Sequence, residues 1–439
     1  MRTRVSAGSL LAAAVLAAAV GCTGGGAGTS EQSVEGGSDP KAVSGDITVL
    51  THRTDLVQNG TMKKYADEFH KRYPKVNVTF DGITDYEGEV KIRMNTTNYG
   101  DVLMIPGVIA RNDYPKFFAS LGTPAELAQK YRFTGYSTVD DKVYGLSNFG
   151  SAMGFVYNKA VWGKAGITDW PTTPDEFLAG LKAIKAKTDS VPYYTNFKDM
   201  WPLTQWQGYL GGMSCDPLGN DKLATADDPW AEGSDLRTID TLLYDVVKQG
   251  LVEKDPTTTN WENSKGLIAK GEIATMALGS WAISQMQDAA TKAGANPDDI
   301  GFMPFPQQKD GKWCTALNGD YQQAVSIHSK HKEAARAWIE WFTGESGYPA
   351  NEKAVSTLKS DPLPEALQPF TEAGVELVEI SQAKAVQVNA IDNASEVGFT
   401  KPDYRQRIVE MAKGSRDGSL EGELDALAKK WADAVGSAG

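Results

Sequence analysis

From Asp46 onward the chain repeatedly exchanges one hydrophobic period for another, and this alternation narrows its possible folds more than any other feature. DITVLTHR is a short β-branched run and reads as a first strand. TMKKYADEFHKRYP then places Met62, Tyr65, Phe69 and Tyr73 at helical spacing and stops before Pro74. In VNVTF the apolar residues Val76, Val78 and Phe80 alternate as in a strand, and YEGEVKIRMNT reads as a second helix. DVLMIP is nearly continuous apolar sequence, as in a buried parallel strand. Strands alternating with helices predict an α/β lobe with a mostly parallel sheet. Ligands bind such sheets beyond the carboxyl ends of their strands, here Thr51 to Asp55 and Met104 to Gly107.

Further along, GFVYNKAVW (Gly154 to Trp162) reads as an extended crossing segment. TDWPTTPDEFLAGLKAIKAK supplies a loop and an amphipathic helix, with Thr173 as N-cap and Pro174 at the first helical position. The middle of the chain is helical and rich in tryptophan. AVSIHSK reads as a second extended crossing, KEAARAWIEWFT as a helix, and EGELDALAKKWADAV as an amphipathic C-terminal helix. The pattern predicts two lobes, 46–154 plus 325–372 and 155–324 plus 373–439, joined by several hinge crossings around a cleft.

The N-terminus reads as an address. Arg2 and Arg4 precede an apolar run from Leu10 to Val20, which is short for a membrane span and suits a signal peptide over residues 1–21. AAAVGC resembles a lipoprotein processing site, with Ala19 where leucine is commonest, so Cys22 is the expected lipidation site. Residues 22–45 are rich in Gly, Ser and Thr and read as a tether that buries too little apolar surface to fold. Lipidation of Cys22 would leave Cys215 and Cys314, an even pair in an oxidising compartment, and a disulfide is expected.

The net charge is −12, and no basic stripe for nucleic-acid phosphates is visible. With four histidines and neither HExxH nor CxxC spacing, no metal site is expected. No GxSxG elbow, P-loop or GxGxxG fingerprint appears, and no cofactor is expected. Some pair among 56 acidic residues will always suggest glycoside hydrolysis, so that signal has almost no specificity and no catalytic residue is expected.

The ordered set ITVLTHR, FHKRYPKVNVTF, GDVLMIP, VYGLSNFGSAMGFVYNKAVW, WPTTPDEFLAGLKAI, KGEIATMALGSWAISQM, IGFMPFP and AVSIHSKHKEAARAWIEWF resembles the extracellular solute-binding proteins of ABC importers, in the carbohydrate-binding family that includes maltose-binding protein. The resemblance covers essentially the whole chain after the tether. It implies a two-lobed, type II periplasmic-binding-protein-like fold. It also implies a carbohydrate ligand, an oligosaccharide by the aromatic supply, a permease partner, a lipid anchor at the outer membrane face, and a monomer. A surface sensor or a receptor for another solute would use the same fold.

Sugars are held by aromatic faces against their C–H surfaces and by planar polar groups bonding their hydroxyls. The resemblance makes Trp281 a cleft platform, with Gly279 and Ser280 in the turn before it. Trp201 lies in NFKDMWPLTQW, similar to a cleft-lining segment of the family, and Trp206 and Trp261 are further candidates. Trp338 and Trp431 fall on amphipathic helices and are assigned to packing. Polar candidates are His52, Arg53 and Asp55 after the first strand, and Asp101 before VLMIP, whose alternative role is turn capping. Asn148 and Phe149 stand at the first crossing, and Asn318, Asp320 and Tyr321 before the second. Asn389 is the candidate from the C-terminal segment.

Overall fold

The computed structural model describes residues 33–34, 36–37 and 39–438. The expected signal peptide and Cys22 lie outside the described residues. Two sheets organise the remainder. In the first, strands run in the order Lys75–Gly82, Ser44–Thr51, Val102–Met104, Gln322–Val325 and Leu146–Ser147. Ser44–Thr51 pairs in parallel with Lys75–Gly82 from Ser44↔Lys75 to Thr51↔Gly82, and Val49 lies opposite Val102. Helices Thr61–Arg72 and Lys332–Glu340 cover one face, where Phe69, Trp338, Ile339 and Phe342 are buried. Tyr86, Val90, Leu103 and Phe118 form a core of their own in this lobe.

The second sheet carries Lys312–Gly319, Gly150–Asn158 and Thr275–Gly279 at its centre. Ile300–Met303 also pairs with Gly150–Asn158, and Glu376–Glu379 with Lys312–Gly319. The two-lobed α/β class is as expected, but mostly parallel pairing holds only in part. Every pairing made by Gly150–Asn158 is antiparallel. The reason is the chain path: Gly150–Asn158 leaves the first lobe, whereas Lys312–Gly319 returns to it and must run the opposite way. Gly319 therefore lies opposite Gly150, and Gly279 opposite Met153, so two strands end at the lobe seam.

These pairings shift the crossings. Strands of the first sheet end at Ser147 and resume at Gln322, so the chain changes lobes at 148–149 and 320–321 rather than at 154 and 325. GFVYN belongs to a strand of the second sheet, and Lys159–Lys164 is helix rather than extended. A third passage occurs near Val355, which exchanges both backbone hydrogen bonds with Gly150 at 2.7 and 2.9 Å, earlier than the expected 372. Leu367 and Phe370 already pack with the second lobe.

Local signals are honoured elsewhere. Thr173 accepts the N–H of Glu176 at 3.2 Å and Pro174 begins the helix Pro174–Lys187. Trp338 and Trp431 are completely buried. Cys215 and Cys314 form the expected disulfide, which closes a loop of 99 residues and is worth about 4–5 kcal/mol in the chain-entropy picture.

The expected tether is shorter than its composition suggested. Val34 is buried in the first-lobe core, and its N–H donates to the Ser120 carbonyl at 2.9 Å. Arg336 donates to the Val34 carbonyl and pairs with Glu340 at 2.7 Å. A Cβ on Gly36 would lie 2.4 Å from that guanidinium, so a larger residue there would have to displace the Arg336 side chain. Among the described residues no helix is long and apolar enough to cross a membrane, and no group of three metal-ligating side chains occurs.

Candidate functional site at the lobe seam

The first-lobe side is built where Ser44–Thr51 ends. The Thr51 hydroxyl accepts the Arg53 N–H at 3.1 Å and turns the chain, setting Arg53 beside the half-buried ring of His52. The guanidinium forks onto Asp55 at 2.9 and 3.0 Å, donates to the Tyr348 hydroxyl at 3.2 Å and pairs with Glu352 at 2.8 Å. Burial opposes the charge on Arg53, but the Asp55 hydrogen bond and the surrounding charges outweigh it and raise its pKa. Burial likewise opposes ionisation of Asp55, and its bonds to Arg53 win, holding its pKa low.

The two crossings close in on this cluster. Asn148 N–H donates to Tyr321 O at 2.8 Å, and Asp320 N–H donates to Phe149 O at 2.9 Å. The Tyr321 ring lies 5.2 Å from His52, and its hydroxyl donates to Glu87 Oε1 at 2.7 Å. Glu87 Oε2 is buried with no protein partner. Asp320 is pushed up to about 6 by burial, with Glu352 adding to the effect and Arg53 opposing it. His52 is pushed down to about 4 by burial and by the Arg53 charge, partly offset by Asp55. At neutral pH this wall therefore combines a neutral imidazole, a guanidinium and several carboxylate oxygens, which can accept from or donate to hydroxyl groups.

The second-lobe side is aromatic. Thr275–Gly279 ends at the seam, Ser280 turns, and Trp281 precedes helix Ala282–Lys292. Ser280 is fully buried, its hydroxyl 3.2 Å from Ser151 Oγ and accepting from Ala152 N–H at 3.1 Å. A Cβ on Gly279 would lie 2.6 Å from the Trp281 indole, so the ring folds back over a position only glycine can occupy. Trp281 packs against buried clusters of both lobes. Its centroid is 5.9 Å from Trp201 and 5.7 Å from Trp261, and those two meet edge to face at 4.9 Å. All three tryptophans are half-buried, neither enclosed nor fully open. Asn318 joins them through the register Asn318↔Ser151, with its Oδ1 accepting from Tyr136 at 2.7 Å.

The seam thus gathers His52, Arg53, Asp55, Asn148, Phe149, Asp320 and Tyr321 on one side. Trp201, Trp261, Gly279, Ser280, Trp281 and Asn318 gather on the other. Asn148 and Phe149 are buried behind the wall, where Asn148 Oδ1 accepts from Gln323 at 2.7 Å.

Three expectations are corrected. Trp206 is fully buried in the second-lobe core and donates to the Tyr193 hydroxyl at 2.9 Å, so it packs and cannot meet a ligand. Asp101 precedes the strand Val102–Met104, away from its carboxyl end, and both oxygens are occupied by Thr48 N–H at 2.9 Å and Ser329 Oγ at 2.6 Å. It ties the first strand to the segment after the second crossing, a structural role that is neither ligand contact nor the capping of its own turn. Asn389 lies exposed on helix Ala385–Ser395, which packs against Leu420–Ala438 away from the seam.

Sequence reasoning missed Glu87, Tyr348 and Glu352, because Arg53 and Tyr348 are 295 residues apart and no local pattern joins them. A local signal does separate the seam tryptophans from Trp206. Each seam indole stands at the start of a helix, Trp201 and Trp261 as its first residue and Trp281 just before it, and is followed three residues later by a hydroxyl that donates to its carbonyl: Thr204 at 2.6 Å, Ser264 at 2.7 Å and Ser284 at 3.3 Å.

Comparison with known proteins agrees with this architecture. The profile described as Bacterial extracellular solute-binding protein matches residues 54–349. A binding protein of an ABC transporter from Bifidobacterium animalis subsp. lactis, in complex with mannobiose, is 32% identical and superposes with a TM-score of 0.82 over 91% of this chain and 96% of that one. A manno-oligosaccharide-specific solute-binding protein from the same organism, in complex with mannotriose, gives 32% identity and a TM-score of 0.81 over 91% and 96%. The Multiple sugar-binding protein of Streptococcus mutans is 26% identical over 345 residues, 74% of this chain and 79% of its own. With the two-lobed fold and the seam geometry, these matches place the chain in the bacterial extracellular solute-binding protein family.

Proposed function

We propose that the protein captures a short oligosaccharide between its lobes and hands it to an ABC transporter permease while held at the outer membrane face by lipidated Cys22. The observation that carries this reading is the trio Trp201, Trp261 and Trp281, three half-buried indoles within 6 Å of one another at the seam. They stand with a wall of charged hydrogen-bonding groups whose geometry is already fixed. Indole faces suit the C–H surfaces of successive sugar rings, and fixed carboxylates and a guanidinium suit their hydroxyls. Manno-oligosaccharides are the first candidates, since the two Bifidobacterium proteins at 32% identity carry mannobiose and mannotriose.

The reading is of a receptor rather than an enzyme. Asp55 and Glu352 are paired with Arg53, and Glu87 accepts from Tyr321, so these carboxylates act as fixed acceptors. Ligand bound to both walls would favour the closed form, because it gains contacts there that the open form lacks. A thermal-shift and calorimetric screen of the body from Gln32 onward against mannobiose, mannotriose, raffinose and maltotriose tests the proposal. Ligand at 100 times its dissociation constant adds about 2.7 kcal/mol of stability, a shift of several degrees. Folded protein that responds to no sugar would refute it.

A further inference from the structure

Trp201 and Trp261 stand on separate segments, yet one side chain ties them together. Helix Trp261–Ala269 begins with backbone N–H groups that have no partner within the helix. Asn260 caps the third of them, accepting Asn263 N–H at 2.9 Å. The first, on Trp261 itself, donates at 2.9 Å to Asp199 Oδ2. That carboxylate belongs to the turn Phe197–Asp199, two residues before Trp201, and a negative charge is favoured at a helix N-terminus.

The same turn is fastened at other points. Lys198 N–H donates to Thr259 Oγ1 at 2.8 Å, and Gln406 donates to the Phe197 carbonyl at 3.2 Å. It is bounded by two residues at positive φ, Asn196 at 55° and Met200 at 64° with ψ −55°. A side chain with a Cβ is uncommon in that region and strained there, so it persists only where neighbours hold it. Met200 is also exposed, so burial of its own side chain does not hold it there; the fastened turn before it and the helix Trp201–Thr204 after it do.

We infer that Asp199 is a positioning residue for sugar binding, a carboxylate that locks the Trp201 turn to the start of the Trp261 helix so that both indoles present one preformed surface. This rests on the oligosaccharide reading above. Asp199 need not touch ligand; it removes the freedom that two independent indoles would lose on binding.

Calorimetry with mannotriose on Asp199→Ala, Asp199→Asn, Trp201→Ala and the Asp199→Ala/Trp201→Ala double variant tests the inference. Asp199→Ala is expected to weaken binding about tenfold, as loss of a hydrogen bond to a charged acceptor does. Asn retains an acceptor oxygen and should recover most of the loss. In the Trp201→Ala background the Asp199→Ala change should cost less than about twofold, the signature of residues acting as a unit. Affinity within about twofold of wild type for Asp199→Ala, or the same tenfold loss in both backgrounds, would overturn the inference. If Asp199→Ala does not fold, Met200→Gly keeps the carboxylate but frees the backbone, and unchanged affinity in that variant is the refuting result. If the wild-type protein binds no mannotriose, the oligosaccharide reading is what fails. The near-ultraviolet circular dichroism of the indoles then decides the coupling: Asp199→Ala should alter it as Trp201→Ala does, and an unaltered spectrum would overturn it.

Discussion

Asp320 and His52 face the same seam, and their protonation pulls on stability in opposite directions. Asp320 has a folded pKa of about 6 against 3.8 for an ordinary aspartate. Between those values the folded state binds more protons than the unfolded, so stability falls as pH rises from about 4 to about 6. At about 1.4 kcal/mol for each pH unit of difference, the loss amounts to roughly 3 kcal/mol. His52 has a folded pKa of about 4 against 6.5. Here the unfolded state binds the extra proton, so stability rises by roughly 3 kcal/mol as pH climbs from about 4 to 6.5.

In the wild-type protein these slopes nearly cancel, and single variants expose them. Asp320→Asn removes the falling limb, so its stability relative to wild type should climb by roughly 3 kcal/mol between pH 4 and 6.5. His52→Gln removes the rising limb, and its relative stability should fall by a similar amount over the same range. Urea unfolding of the ligand-free protein, followed by tryptophan fluorescence at half-unit steps of pH, measures both difference curves. Because each curve is taken against wild type, other titrating carboxylates drop out. Two flat curves, or two of the same sign, would refute the assignment of buried, oppositely shifted groups to this wall.

Other consequences are equally direct. Trp281→Ala should weaken oligosaccharide binding by about 2 kcal/mol or more in calorimetry, with the fold intact by circular dichroism. Gly279→Ala should mimic it, because the new Cβ would strike the indole and the Ser151 hydroxyl, both at 2.6 Å. Trp206→Ala should cost about 3–5 kcal/mol of stability in denaturant titration and leave the affinity of the folded fraction unchanged. Replacing Cys215 and Cys314 together by serine should lower unfolding stability by about 4–5 kcal/mol.

The strand and helix periods made Ser44–Thr51, Thr61–Arg72 and Lys75–Gly82 of the first lobe legible, and Val102–Met104 showed as a continuous apolar run. The second lobe was harder. GFVYN reads as a crossing until its partners are known, and antiparallel pairing follows from the return path of a strand more than 150 residues away in sequence. His52 and Arg53 are candidates because ligands bind beyond the carboxyl ends of parallel strands, whereas Asp320 is a candidate only through the family resemblance of the turn before the second crossing. Trp206 was misplaced because its composition matches that of Trp201 five residues earlier, and burial depends on packing partners such as Tyr193 that are remote from that segment's own pattern. Tyr348 and Glu352 belong to a third passage whose proximity to Arg53 is purely tertiary.

The burial of Val34 sets a mechanical limit on the whole molecule. With Val34 clasped by Ser120 and Arg336, about a dozen residues separate the first lobe from Cys22. A chain of that length spans at most roughly 40 Å, whatever its conformation. On the proposal that Cys22 carries the lipid, the body is confined to a thin layer over the bilayer, and its encounters with a permease become a search across a surface. Delivery would then scale with how many copies occupy each patch of membrane, and any pull on the anchor would be borne by the first-lobe core at Val34 before it reached the strand Ser44–Thr51.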